Sequence, residues 1–145
     1  MRVEQSVIIH QPRDLVFAYV SDGSNIPTWK KGLVEVQRIT PDPTGVGTID
    51  VHVSEFMGRK DEVEHEITAY ELNHYVEFRT VSGPFPSSGI FTFADDDVGT
   101  RVTVISEAEP SGIYRLLAPL MVWIAKKQLK RDLNFLKEAL EGESE

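Results

Sequence analysis

The chain has 145 residues, 41% of them hydrophobic and 26% charged, with 15 Lys and Arg against 23 Asp and Glu and no cysteine. That length and composition fit one globular domain over residues 1–145, which would bury roughly two thirds of its unfolded surface. A net charge of −8 argues against nucleic acid as a partner, because a phosphate backbone rewards the opposite sign, and the lack of thiols excludes disulfides, cysteine nucleophiles and thiolate metal sites.

The N-terminus is charged and lacks an apolar run of signal-peptide length. The longest apolar stretch, residues 113–125, contains Arg115 and Pro119 and is too short to span a bilayer. The expectation is a cytoplasmic protein without stable membrane insertion. Residues 3–9 are β-branched and read as a strand. Pro12 then opens a short helix on which Leu15, Val16 and Tyr19 recur at helical spacing. Asp22, Gly23, Ser24, Asn25 and Pro27 follow as a dense turn cluster, so the segment to Lys31 should be a turn or a single helical turn placing Trp29.

From there the period is two. Strands are expected over 33–40, 47–56, 61–70, 75–81, 88–94 and 100–107, separated by Pro41-Asp42-Pro43, Gly58, Asn73, Gly83-Pro84 and Asp95-Asp96-Asp97, and such short links favour antiparallel hairpins. In 61–70, Val63, His65, Ile67 and Ala69 share one face and Glu62, Glu64, Glu66 and Thr68 the other, so the acidic run reads as solvated. Past Ser111 the period becomes helical. Ile113, Leu117, Met121, Ala125, Leu129, Leu133, Leu136 and Leu140 form one apolar stripe expected to lie on the sheet, with Lys126, Lys127, Lys130, Arg131 and Lys137 mostly off it. Pro119 implies either a kink or a separate turn with the long helix starting at 119. Residues 141–145 read as a frayed acidic tail.

These elements in this order carry a resemblance. The first strand running into HQPRDLVFAYVSD (10–22), then IPTW (26–29), VGT (46–48), GTRVTV (99–104), LLAPL (116–120) and the closing LNFLKEALE (133–141) resemble the polyketide cyclase/dehydratase and lipid-transport superfamily, the START-like or SRPBCC group. The resemblance covers nearly the whole chain. It implies an α+β helix-grip fold: about seven antiparallel strands curved around the C-terminal helix, two short helices after the first strand, and a hydrophobic cavity between sheet and helix. It implies no universal catalytic motif, and fold here does not select function.

Strand parity nominates the site. His65 is the one histidine on an apolar strand face and is the candidate catalytic group, able to act as acid, base or hydrogen-bond donor; its plain alternative is a core histidine with a satisfied ring. His52 shares a face with Asp50 and Ser54 and reads as exposed, opposite to His65. Without histidines at ligand spacing no metal site is expected. Trp29, Phe78, Phe91, Phe93, Met121 and Trp123 are the candidate aromatic and methionine lining, with Thr80 and Ser106 as inward polar groups, although most of these could equally be core. Trp29 is expected at the rim, where the elbow 12–29 would form one wall of the mouth and face the Pro119 region.

The reading is a binder of a small hydrophobic or aromatic molecule, needing no cofactor, with a homodimer left open. One alternative is an enzyme, a metal-free cyclase or lyase acting on a polyketide-like substrate, with His65 and Thr80 or Ser106 moving protons. Another is a protein-interaction module of the chaperone-activator type, which would show an exposed apolar patch on the sheet or closing helix and no sizeable pocket.

Overall fold

A computed structural model describes residues 1–81 and 86–142 of the chain; the predicted turn at Gly83-Pro84 and the tail residues 143–145 lie outside the described residues. Seven strands, β1 (Arg2–Ile9), β2 (Leu33–Arg38), β3 (Ile49–Phe56), β4 (Arg59–Glu71), β5 (Tyr75–Thr80), β6 (Ser87–Asp96) and β7 (Gly99–Ala108), form one sheet in the order β1-β7-β6-β5-β4-β3-β2. Every pairing is antiparallel. With α1 (Arg13–Ser21), the 3-10 turn Gly23–Thr28, α2 (Ile113–Leu116) and the 25-residue α3 (Ala118–Gly142), this is the expected α+β arrangement of a sheet with a long closing helix.

Local chemistry explains the joints. β3 and β4 are joined by the two residues Met57 and Gly58, both at positive φ (51° and 80°), the backbone of a tight hairpin turn in which glycine at the second position is the easy choice. Asp22 starts the 3-10 turn by accepting a hydrogen bond from the Ser24 backbone N–H at 3.0 Å. Of the two options for Pro119, the second is realised: Ile113–Leu116 is its own short turn, and Pro119 stands in the first turn of α3, where a missing N–H costs nothing.

The core joins the inner face of the sheet (Ile9, Val76, Phe93, Val102, Val104) to Val16, Phe17 and Val20 of α1, to Trp29, and to Leu133, Leu136 and Leu140 of α3. On α1 the buried face is therefore Val16, Phe17 and Val20; Leu15 is exposed. The predicted stripe on the last helix docks only in its second half. Leu133, Leu136 and Leu140 are buried, whereas Ile113 and Leu117 are exposed. That buried half is also bolted: Lys137 Nζ donates to the Ile8 carbonyl (2.7 Å), Gln11 Nε2 to the Leu140 carbonyl (3.0 Å), and the His10 backbone N–H to the Glu141 carboxylate (3.2 Å).

Strand register corrects two parity readings. β3 and β4 pair Asp50 with His65 and His52 with Val63, and directly opposed residues share a face, so the polar parity of β3 lies on the same face as the apolar parity of β4. Val51 and Val53 go instead to the other face beside Glu64 and Glu62. In β4 a register shift between Ile67 and Ala69 moves the alternation on by one, so Tyr70 rather than Ala69 reaches the core, where its ring meets Phe17 at 5.5 Å.

Candidate functional site

Between the inner sheet face, α1 and the elbow after the 3-10 turn lies a cavity of about 80 Å³. Ile67, Val76, Phe78 and Phe91 reach it from the sheet, Val20 and Ile26 from the elbow side, and Trp29 from the elbow's end; Lys30, Asp50, His52 and His65 supply its ionisable groups. Ring contacts organise the wall: Trp29 meets Phe91 edge-on at 6.0 Å, Phe78 meets Phe91 at 5.8 Å, and His65 meets Phe78 at 5.6 Å. Gly89 makes room for this set, since a Cβ there would stand 2.8 Å from Phe78 Cζ.

His52 and His65, diagonal neighbours across β3 and β4, stack with ring centroids 3.8 Å apart and planes 8° from parallel. Burial holds both rings well below the ordinary imidazole value of 6.5. His52 falls to about 3, helped by His65 and Lys30, and His65 to about 4, helped by Lys30. Both are therefore neutral at pH 7, each with one N–H donor and one acceptor. Burial lowers the Lys30 pKa against the opposing pull of Asp132 on α3, and it raises that of Asp50 against the attraction of Arg38, whose Nε stands 3.0 Å from Asp50 Oδ1. Asp132 is likewise raised by burial, opposed by Lys30 and by the Lys31 backbone N–H.

Hydrogen-bond satisfaction is where this region departs from an ordinary core. Among the described residues, four buried side-chain polar atoms have no partner: Trp29 Nε1, His52 Nδ1, His65 Nδ1 and Asp132 Oδ1. Leaving such an atom unmet costs about 1–3 kcal/mol. Three of the four belong to residues lining this one cavity. A guest bearing an oxygen would meet them, since an indole N–H can only donate and a neutral imidazole can do either. Outside the histidines, Lys30, His52 and His65 also line an open groove of about 560 Å³ bounded by Val63 of β4 and by Gln128 and Arg131 of α3. These three residues are thus the partition between inner cavity and outer groove.

The sequence candidates divide accordingly. Trp29, Phe78, Phe91 and His65 come together around the cavity. Trp29 sits deeper than expected, 4% exposed, and its elbow meets α3 through Lys31 over the Phe135 ring (4.6 Å) rather than near Pro119. Phe93 points the same way but packs in the core against Phe17, 5.1 Å away. Thr80 faces inward opposite His65, yet its hydroxyl is engaged with Ser87 at 2.9 Å and it borders a different surface groove. Ser106 lies opposite Gly89 and Val3, on the inner face but away from the lining, and Met121 is half-buried in the first turns of α3. Trp123 is on the outside, 56% exposed, with Lys127 Nζ 4.0 Å above its ring.

His52, Lys30 and Asp50 were not among the candidates. The expectation that His52 is exposed and faces away from His65 is overturned by the stacked pair. A signal did exist: reading Met57-Gly58 as a two-residue turn fixes the pairing of Phe56 with Arg59, and counting back puts Asp50 opposite His65. Among the described residues, no group of three or more His, Asp or Glu is placed to hold a metal ion, and no helix is long and apolar enough to cross a membrane.

Comparison with known proteins adds the following. The sequence model of a family described as polyketide cyclase / dehydrase and lipid transport matches residues 1–141. No curated protein matches the chain. Among solved structures, a Thermus thermophilus protein superposes with a TM-score of 0.84 at 20% identity, covering 100% of both chains. A Deinococcus radiodurans protein does so at 0.69 and 21%, covering 98% of each. A Staphylococcus aureus protein of unknown function reaches 0.81 at 11%, covering 99% of this chain and 95% of its own. At these identities the likeness is one of fold.

Proposed function

Because the chain belongs to the polyketide cyclase / dehydrase and lipid transport family, a hydrophobic ligand-binding fold, we propose that it binds a small hydrophobic or aromatic molecule carrying an oxygen acceptor, with the apolar body among Trp29, Ile67, Val76, Phe78 and Phe91 and the oxygen toward Trp29, His52 and His65. The observation that carries this reading is the gathering of unpartnered polar atoms on residues that line one otherwise apolar cavity. Unmet groups of this kind are kept where something else meets them.

Size bounds the ligand. The space of about 80 Å³ is well under the roughly 300 Å³ at which pockets for drug-sized molecules begin, so it holds a small ring or the tip of a longer chain. A larger molecule would have to pass the His52–His65 partition and continue into the outer groove, whose Lys30 and Arg131 suit an oxygen-rich end. The reading places the protein in the cytoplasm as a carrier, sensor or store, with no cofactor.

Trp29 makes the test direct. In a Trp123→Phe variant the remaining tryptophan is the one in the cavity wall, so titration with small phenols and aromatic ketones should quench or shift its emission saturably, and mass spectrometry under non-denaturing conditions should show a one-to-one complex. Saturable binding that His52→Leu/His65→Leu abolishes supports the site. A library of such compounds that leaves Trp29 emission unmoved, together with no copurifying molecule, would overturn it.

The second reading, acid–base catalysis by His65, is favoured by the ring's place at the cavity edge. A base whose pKa is about 4 is poorly matched to proton transfer at pH 7, which is why binding comes first. Unchanged turnover of a cognate substrate in His65→Ala would end that reading.

A further inference from the structure

We propose that the outer face of residues 113–131 docks on an anionic lipid bilayer, seating the protein on a membrane surface with the groove outside the histidine pair beside the contact. The first observation is apolar exposure with a helical period. Ile113, Leu116, Leu120, Trp123 and Ile124 are all exposed, Leu116 at 82%. On α3, Leu120 is three and four residues from Trp123 and Ile124, which are four and three from Lys127, itself four from Arg131, so all five share one side, opposite the buried Leu133, Leu136 and Leu140. Their outward position therefore owes nothing to the core.

The second observation is charge. Between Glu109 and Asp132 the chain has no acidic residue, and the segment carries Arg115, Lys126, Lys127, Lys130 and Arg131, five of the chain's 15 cationic side chains. The other ten stand against all 23 acidic ones. The molecule as a whole is repelled by an anionic surface, but charges screen within about 8 Å at physiological salt, so at contact the local cations decide. Trp123 under the Lys127 ammonium at 4.0 Å is an amphipathic unit of the kind that settles at headgroup depth.

These two properties select the occupant. A second copy on a two-fold axis would bring two cationic faces together, whereas an anionic bilayer offers apolar depth and negative charge in the same place. Continuity with the site supports the same choice. Trp123, Ile124, Lys127, Lys130, Gln128 and Arg131 line one outer groove of about 570 Å³, and Gln128 and Arg131 also border the groove that reaches Lys30, His52 and His65. The docking itself does not depend on what the cavity binds.

Cosedimentation with phosphatidylcholine vesicles, with and without phosphatidylglycerol, tests the proposal. The protein should bind the anionic vesicles, less at high salt, and Trp123 emission should shift to the blue and be quenched by lipids brominated along the acyl chain; Trp123→Phe should remove that shift. At about fivefold per cation, Lys126→Gln/Lys127→Gln should weaken binding about 25-fold, and Leu120→Glu/Ile124→Glu should abolish it while thermal melting stays unchanged. The proposal is overturned if the wild-type chain ignores anionic vesicles, if binding is indifferent to both variant pairs, or if light scattering shows a dimer that Leu120→Glu/Ile124→Glu dissociates and vesicles do not compete with.

Discussion

The two halves of α3 are built from similar residues and do opposite things. Past residue 129, leucines at steps of three and four are buried and the turns are bolted to β1 through Lys137 and to the following turn through Gln11. Before it, an equally apolar stretch turns Leu120, Trp123 and Ile124 to solvent, and its tie to β1 is the neutral hydrogen bond that Gln5 Nε2 donates to the Lys126 carbonyl at 3.3 Å. The difference teaches that an apolar stripe states only that a surface wants covering. What covers it depends on where the sheet ends and on which side of the helix the residue falls.

The largest test of that contrast is truncation. Leu136→Ala, at 0% exposure, should lower unfolding free energy by about 2–5 kcal/mol, while Leu120→Ala should stay within about 0.5 kcal/mol; chemical denaturation of both variants would show it, and equal losses would mean the first half is packed after all. The bolts come next. Lys137→Met removes a charged donor from the Ile8 carbonyl and should cost about 1.5–3 kcal/mol, whereas Gln5→Leu should cost about 0.5–1.5 kcal/mol, a neutral bond's worth.

The third measurement concerns the groups under the boundary between the halves. The folded-state values of about 3 for His52 and about 4 for His65 lie below the free imidazole's 6.5. Between pH 6.5 and 4 the unfolded chain therefore binds protons that the folded chain refuses, and stability falls as pH falls through that window, being fully present above it. Two such protons set a ceiling of about 2.7 kcal/mol per pH unit. Asp50 and Asp132, both raised by burial above the ordinary 3.8, work in the opposite sense from 3.8 upward and so inside the same window, which makes the clean readout the difference from His52→Gln/His65→Gln, whose melting temperature should depend less on pH from 6.5 to 4. A double variant with the wild-type slope would remove these rings from the titration.

The sheet was legible because each strand announced itself by period and punctuation, from the β-branched 3–9 to GTRVTV at 99–104, and the strand limits moved by only a few residues. The site was half legible. Phe78, Phe91 and His65 could be named because aromatic and ionisable residues on an apolar parity stand out, and Trp29 because it is a large aromatic among turn residues, but His52 was missed because β3 was judged on its own parity. Its face is a property of the β3–β4 pair, and a one-residue difference in register sends a side chain to the other side of the sheet. Thr80, too, has the expected parity; a neighbouring serine simply claims its hydroxyl.

Alternation, turn chemistry and helical period are local, so the chain by itself determined seven antiparallel strands, a long closing helix, and a charge balance hostile to nucleic acid. Which half of that helix is buried, which histidines stack, and which polar atoms are left unmet beside a cavity were decided only in three dimensions. The reason is physical: burial and hydrogen-bond satisfaction belong to pairs of distant residues, and only the assembled sheet sets those pairs face to face.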